Sequence, residues 1–138
     1  MSYLIDTNVI SELRKQDRAN PNVTAWYGTV SNEDLYLSVL VLGEIRQGIE
    51  RARPSDPDKA NALDRWVTLV REAFGQRILP ITVSIAEEWG RLNCARPLPV
   101  VDSLLAATAI VHGLTLVTRN LNDISGTGVA CLDPFDDS

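Results

Sequence analysis

Short apolar runs alternate along this chain with longer stretches in which apolar residues recur every three or four positions, which predicts strands and helices in turn. Tyr3-Leu4-Ile5 reads as a short buried strand, and Thr7 to Lys15 as a helix with Val9, Ile10 and Leu13 at helical spacing. A polar break from Asp17 to Pro21 leads to a second helix holding Val23, Trp26, Tyr27 and Val30. Leu35 to Ser38 is the next strand, and Val41, Leu42, Ile45 and Ile49 form the stripe of a helix running to Ala52. After a turn over Pro54 to Asp58, a long helix reaches Phe74 through Leu63, Trp66, Val67 and Val70. Ile78-Leu79-Pro80-Ile81 is a third strand whose proline marks an edge or a strand end. Ser84 and Glu87 have the spacing of a capping box for a helix to Asn93. Pro97 and Pro99 precede a helix from Val101 to His112, stopped by Gly113. Leu114 to Thr118 is a fourth strand and Val129 to Leu132 a fifth.

Strands alternating with helices predict an α/β fold: a mainly parallel sheet of four to five strands with helices on both faces. The 138 residues suit one domain, 1–138, large enough to bury a core, and show no repeat or linker. In such sheets ligands bind beyond the carboxyl ends of the strands, so that is where chemistry is expected.

Composition narrows the picture modestly. With 45% apolar and 22% charged residues the chain is ordinary for a globular protein. It has no apolar run that spans a bilayer and no basic leader, so a cytoplasmic location without a membrane is expected. Cys94 and Cys131 are too far apart for a CxxC site and are expected to be buried or half-buried. The net charge of −5 disfavours tight coating of nucleic acid, which needs a surplus of Lys and Arg. Turnover of a nucleic acid remains compatible with it, since some acids can belong to a cation site. Others, Asp133, Asp136 and Asp137, crowd into a tail.

Four acids fall where the sheet's carboxyl edge is expected. Asp6 follows the first strand directly, and Asp123 lies a few residues past the fourth. Glu44 sits one turn into a helix, off its apolar stripe, with Gly48 a turn later. Asp102 opens a helix that is otherwise apolar or small and must be largely buried. Each has an ordinary structural reading as well: a helix cap for Asp6 and Asp102, a turn for Asp123, an exposed helical glutamate for Glu44. Together they suggest a cluster, and clustered carboxylates raise one another's pKa unless a cation neutralises them. All-oxygen donors suit Mg²⁺ or Mn²⁺. His112, the single histidine, stands beside Gly113 at a helix end, which disfavours a zinc site or a Ser-His-Asp triad.

The motifs in order resemble the PIN-domain family, in particular the ribonuclease toxins of bacterial toxin–antitoxin modules of the VapC and FitB type. Leu4-Ile5-Asp6-Thr7-Asn8-Val9-Ile10-Ser11 is similar to the family's apolar-Asp-Thr-Asn opening. Gly43-Glu44-Ile45-Arg46-Gln47-Gly48 resembles its Glu element, and Asp102-Ser103-Leu104-Leu105-Ala106-Ala107 its third acid with a small-residue helix. Thr118-Arg119-Asn120-Leu121-Asn122-Asp123 is similar to the Thr-x-Asn-x-x-Asp motif, and Asp133-Pro134-Phe135 to the Pro-Phe ending. Ile124 departs from the pattern, standing where an aromatic residue commonly follows the fourth acid.

The resemblance implies a three-layer α/β/α sandwich and a metal-dependent endoribonuclease acting as the toxin of a toxin–antitoxin module. It implies that Asp6, Glu44, Asp102 and Asp123 are catalytic and hold Mg²⁺ or Mn²⁺, with Asn8 and Thr118 supporting them. It further implies an RNA substrate, a homodimer, and a small antitoxin that inserts a segment near the acids, alone or in a higher complex. Arg14, Arg46 and Arg119 are candidates for phosphate contact, and Trp26, Tyr27, Trp66 and Trp89 for core packing or an antitoxin groove. The alternative is a non-catalytic domain of the same fold that works through partner binding. A phosphotransfer domain is disfavoured, because Lys15 and Lys59 are the only lysines and neither follows a later strand.

Overall fold

Tyr3 to Ile5 form β1, the middle strand of the sheet, and they are apolar throughout because both faces and both edges of β1 are covered. The computed structural model describes residues 1–136. Within it, β2 (Leu35–Ser38), β3 (Ile78–Leu79), β4 (Thr115–Val117) and β5 (Cys131–Leu132) complete a sheet in the order β3-β2-β1-β4-β5. Every pairing is parallel. Leu4 is in register with Tyr36 on one side and Leu116 on the other, and Ile5 with Val117. The chain steps outward from β1 to β3 and then crosses back to place β4 on the far side of β1. The reversal opens a crevice at the carboxyl ends of β1 and β4.

Among the described residues, six helices surround the sheet: α1 (Thr7–Leu13), α2 (Pro21–Tyr27), α3 (Val39–Ala52), α4 (Pro57–Phe74), α5 (Val83–Leu92) and α6 (Val100–His112). Together with the parallel sheet they give the α/β/α architecture expected from the alternating pattern. Helix α3 packs on α4 and α5 on α6. Helix α6 also packs against β1 and β4, and its buried residues include Ala106, Ala107 and Ala109, whose small side chains permit a close approach. Ser103 and Thr108 are buried there too, and each donates its hydroxyl proton to a carbonyl of the preceding turn, at Pro99 and Leu104. Leu4, Leu37, Leu105 and Val117 are fully buried in one core cluster. Truncating such a leucine to alanine costs about 2–5 kcal/mol. No helix among the described residues is long and apolar enough to cross a membrane.

Several boundaries differ from those expected, each for a local reason. Helix α1 stops at Leu13, and Gln16 takes a positive φ of 53° as the chain turns into a 3-10 segment, Gln16–Arg18. Val30 lies beyond α2, whose C-cap is Gly28. Strand β3 ends at Leu79, before the proline that cannot donate to a ladder, and it is an edge strand as expected. Strand β5 begins only at Cys131. The cap of α5 is Thr82, whose side chain accepts from the Ile85 amide, so Ser84 lies inside the helix and the Ser84–Glu87 capping box does not form. Cys94 and Cys131 are both exposed rather than buried: the first lies in the loop after α5 and the second on edge strand β5. Ile124 is buried in the core. Of the acidic tail, Asp137 lies outside the described residues.

Candidate active site

The crevice between β1 and β4 is built around Asp6. As the first residue past β1, it is only 4% exposed, and its backbone N–H donates to the Val117 carbonyl at 2.9 Å, continuing the ladder. Its carboxylate caps α1 and is held on both oxygens. Oδ1 accepts from the Thr7 amide at 2.7 Å, and Oδ2 from the Thr118 hydroxyl at 2.7 Å. Thr118 Oγ1 itself accepts from the Asn120 amide at 3.0 Å, which leaves its proton directed at Asp6. Asn8 Nδ2 makes longer contacts with Asp6 Oδ2 and Thr118 Oγ1, at 3.4 and 3.5 Å, while Asn8 Oδ1 accepts from the Arg119 amide at 3.3 Å. Asn8 and Thr118 thus stitch the two strand ends together around one carboxylate.

Glu44 is the sixth residue of α3, half-buried, and turned toward this centre. The Thr7 hydroxyl donates to Glu44 Oε1 at 2.6 Å, so one threonine fixes two acids, Asp6 through its amide and Glu44 through its side chain. Asp102 lies in the first turn of α6, where Pro99 is the cap residue, so a capping role does not account for it. The next residue, Ser103, accepts from Trp89 Nε1 at 2.9 Å, which pins α5 behind the first turn of α6. Asp123 lies in the 3-10 segment Leu121–Ile124, after β4. The four acids therefore come from four elements and meet at one rim, as their positions in the sequence suggested.

Their electrostatics reflect that meeting. The Asp102 carboxyl is pushed up to about 6, first by burial, then by the charges of Asp6 and Asp123, a hydrogen bond with Asp123, and the charge of Glu44. Burial also raises Asp6 above the ordinary carboxylate range, against the lowering effect of its Thr118 and Thr7 hydrogen bonds. The acids share one field without forming a cage: among the described residues, no group of three or more His, Cys, Asp or Glu side chains is arranged to hold a metal ion. The donor chemistry nevertheless fits a hard divalent cation. All candidate donors are oxygens, and a positive charge at the rim would offset the burial and the acid charges that raise Asp102.

Among the arginines, Arg46 is spent elsewhere: it ion-pairs with Asp64 at 2.9 Å and Glu50 at 3.2 Å on the exposed α3–α4 surface. Arg14 lies over the Trp66 ring, 5.8 Å from its centroid, and Arg119 over Phe135 at 4.1 Å. Trp26 packs edge-on against Tyr3, and Trp89 is tied to Ser103, so both serve packing. Tyr27 and Trp66 instead line an apolar cleft of about 470 Å³ with Ile10, Leu13, Val70 and Phe74. Ile5, the last residue of β1, is also in its lining, and none of the four acids is. Two contacts had no signal in the sequence. Thr7 and Glu44 are 37 positions apart, and Trp89 and Ser103 are 14 apart across a loop.

The PIN-domain model matches residues 3–125. Toxin FitB of Neisseria gonorrhoeae is 34% identical over 97% of this chain and 99% of its own length. VapC ribonuclease Y4jK of Sinorhizobium fredii is 31% identical over 96% and 97% respectively. The crystal structure of FitAcB from Neisseria gonorrhoeae superposes with a TM-score of 0.85 at 32% identity, over 96% of this chain and 98% of that one. Sheet order, strand-end acids and family match agree: the chain belongs to the PIN-domain family.

Proposed function

We propose that this protein is a metal-dependent endoribonuclease and the toxin of a toxin–antitoxin module, with Asp6, Glu44, Asp102 and Asp123 as its catalytic acids. The observation that carries the reading is the meeting of Asp6, Glu44, Asp102 and Asp123 at one rim, with Thr7 holding both Asp6 and Glu44, and with Asp123 hydrogen-bonded to Asp102. Burial and the neighbouring acids both disfavour charge at Asp102, and a bound cation would offset both. Further support comes from relatives named as a toxin and as a VapC ribonuclease that match along nearly their full lengths.

The four acids would hold Mg²⁺ or Mn²⁺, directly or through water. Bound at such a site, a divalent ion lowers the pKa of coordinated water and offsets charge building on the phosphoryl oxygens. The protein's own groups do the positioning. Thr118, Asn8 and the Thr7 amide fix the orientation of Asp6, and the Thr7 hydroxyl fixes Glu44. The overall reaction adds water across a phosphodiester and breaks one P–O ester bond, leaving an alcohol and a phosphomonoester.

The apolar cleft with Tyr27, Trp66 and Phe74 in its walls suits an amphipathic segment of a small antitoxin. A homodimer fits the exposed Val39, Val83 and Val100, the first residues of α3, α5 and α6. A cytoplasmic setting follows from an RNA target. Incubating purified protein with total RNA, in Mn²⁺ and separately in chelator, and sequencing the new ends tests the enzymatic reading. New ends only with Mn²⁺ are expected. RNA left intact in both would favour the partner-binding alternative.

A further inference from the structure

We infer that Arg119, held flat on the Phe135 ring, binds a backbone phosphate of the single-stranded RNA next to the one that is cut. The inference rests on the ribonuclease reading and adds a substrate-contact residue to it. A chain of net charge −5, with four acids at its reactive rim, meets a polyanion at a disadvantage, so the cations close to that rim matter most. Arg46, Arg53 and Arg91 are engaged in ion pairs with Glu50, Asp64 and Glu88. Arg77 is occupied by the carbonyls of Asn32, Leu35 and Ala73. Arg14 stands over Trp66 and lines the apolar cleft.

Arg119 differs from all of these. It follows Thr118 directly, and its backbone amide is anchored to Asn8 Oδ1, the residue that also contacts Asp6. Its guanidinium carbon lies 4.1 Å from the centroid of the Phe135 ring, while the residue is exposed and makes no ion pair among the described residues. Glu12 is the acid nearest in effect, and it is already paired with Lys15 at 3.0 Å and accepts from the Asn20 amide at 2.8 Å. Phe135 is itself held in place. Its carbonyl accepts from Asn22 Nδ2 at 2.9 Å, and its amide donates to Asp133 Oδ1 at 2.9 Å. A planar cation stacked on a fixed ring keeps its N–H edge open at little entropic cost, which is the form in which arginine binds phosphate. Because Arg119 directly follows Thr118, whose hydroxyl holds Asp6, a phosphate bound on its guanidinium would lie beside the acidic rim. Phe135 is then a positioning residue, acting through Arg119.

The test compares wild type with Arg119→Ala, Arg119→Lys, Phe135→Ala and Phe135→Tyr. Binding of a fluorescent single-stranded RNA is measured in chelator over a range of salt, and kcat and KM are measured with Mn²⁺. Arg119→Ala is expected to weaken binding about three- to tenfold, flatten the log Kd against log salt slope by about 0.7, and raise KM while leaving kcat within about twofold. Phe135→Ala is expected to weaken binding about two- to fivefold, and Phe135→Tyr to restore it. Arg119→Lys keeps the charge but loses the stack, and is expected to fall between wild type and alanine. A wild type that cleaves RNA while Arg119→Ala keeps its affinity and salt slope would overturn this inference alone. A wild type that neither binds nor cleaves RNA would overturn the ribonuclease reading and this inference together.

Discussion

Glu44 and Glu50 stand on the same helix, less than two turns apart, and belong to opposite kinds of acidic cluster. On the outer surface, Glu50 and Asp64 are met by Arg46 and Arg53 at 2.9–3.5 Å, and the arginine hydrogen bonds hold both carboxyls below their ordinary range. At the sheet rim, Glu44 shares its surroundings with Asp6, Asp102 and Asp123; burial pushes Asp6 and Asp102 upward, and the charges of the other three acids add to the rise at Asp102. The surface network is electrically closed within the protein. The rim is open and calls for a positive charge from outside. Identical residue types on one helix are therefore sorted by their neighbours: Glu50 is met by arginines that brace α3 on α4, whereas Glu44 is held by Thr7 among other acids.

The contrast predicts effects of very different size. Asp6→Asn keeps the shape and removes the charge, and activity on RNA is expected to fall at least about a hundredfold with the circular dichroism spectrum unchanged. Full activity in this variant would remove Asp6 from the mechanism. Thr7→Val deletes the 2.6 Å bond to Glu44 while leaving the amide that holds Asp6. A loss of about tenfold in kcat is expected, with a stability cost of about 1 kcal/mol in urea unfolding, and Thr7→Ser should recover most of both.

Acidity sharpens the comparison further. The folded Asp102 carboxyl titrates near 6 against an ordinary 3.8, so the folded protein binds this proton more tightly than the unfolded chain. Its contribution favours folding below pH 4 and is lost as pH rises through about 6; the raised Asp6 acts in the same sense. Metal-free protein is thus expected to lose thermal stability relative to Asp102→Asn between pH 4 and 7, with the variant melting higher at pH 7. The lowered acids Glu50 and Asp64 act oppositely, but they are exposed and common to both proteins, so the difference curve isolates the rim. The smallest effect belongs to the surface. Arg46→Ala should leave RNA cleavage unchanged and alter the urea-unfolding midpoint little. A large loss of activity there would erase the distinction between the two clusters.

How much of this was readable in the chain follows from what each signal depends on. Asp6 and Asp102 could be placed from local pattern, one directly after an apolar strand and the other at the head of a small-residue helix, because the sheet topology then fixes where those ends go. The four-element convergence was legible through motif order, and the edge position of β3 through Pro80. What was not legible depends on long-range partners or on competing local choices. Thr7 reaches Glu44 only after β1 and β2 pair, and Thr82 outcompetes Ser84 as cap because the chain is still extended at Thr82. The exposure of Cys131 reflects the edge position of β5, set by strand order rather than by residue type. Arg46 looked as free as Arg119 in sequence; only the folded α3–α4 pair reveals Asp64 as its partner.

The central claim, that the rim acids await a divalent cation, is tested most directly by calorimetric titration of Mn²⁺ into wild type and Asp102→Asn near pH 6, in buffers of different ionisation enthalpy. The account predicts saturable binding to wild type with proton release from Asp102, visible as a buffer-dependent heat, and binding at least about tenfold weaker without that release in the variant. Equal heats in the two proteins, or no saturable binding to wild type, would contradict it.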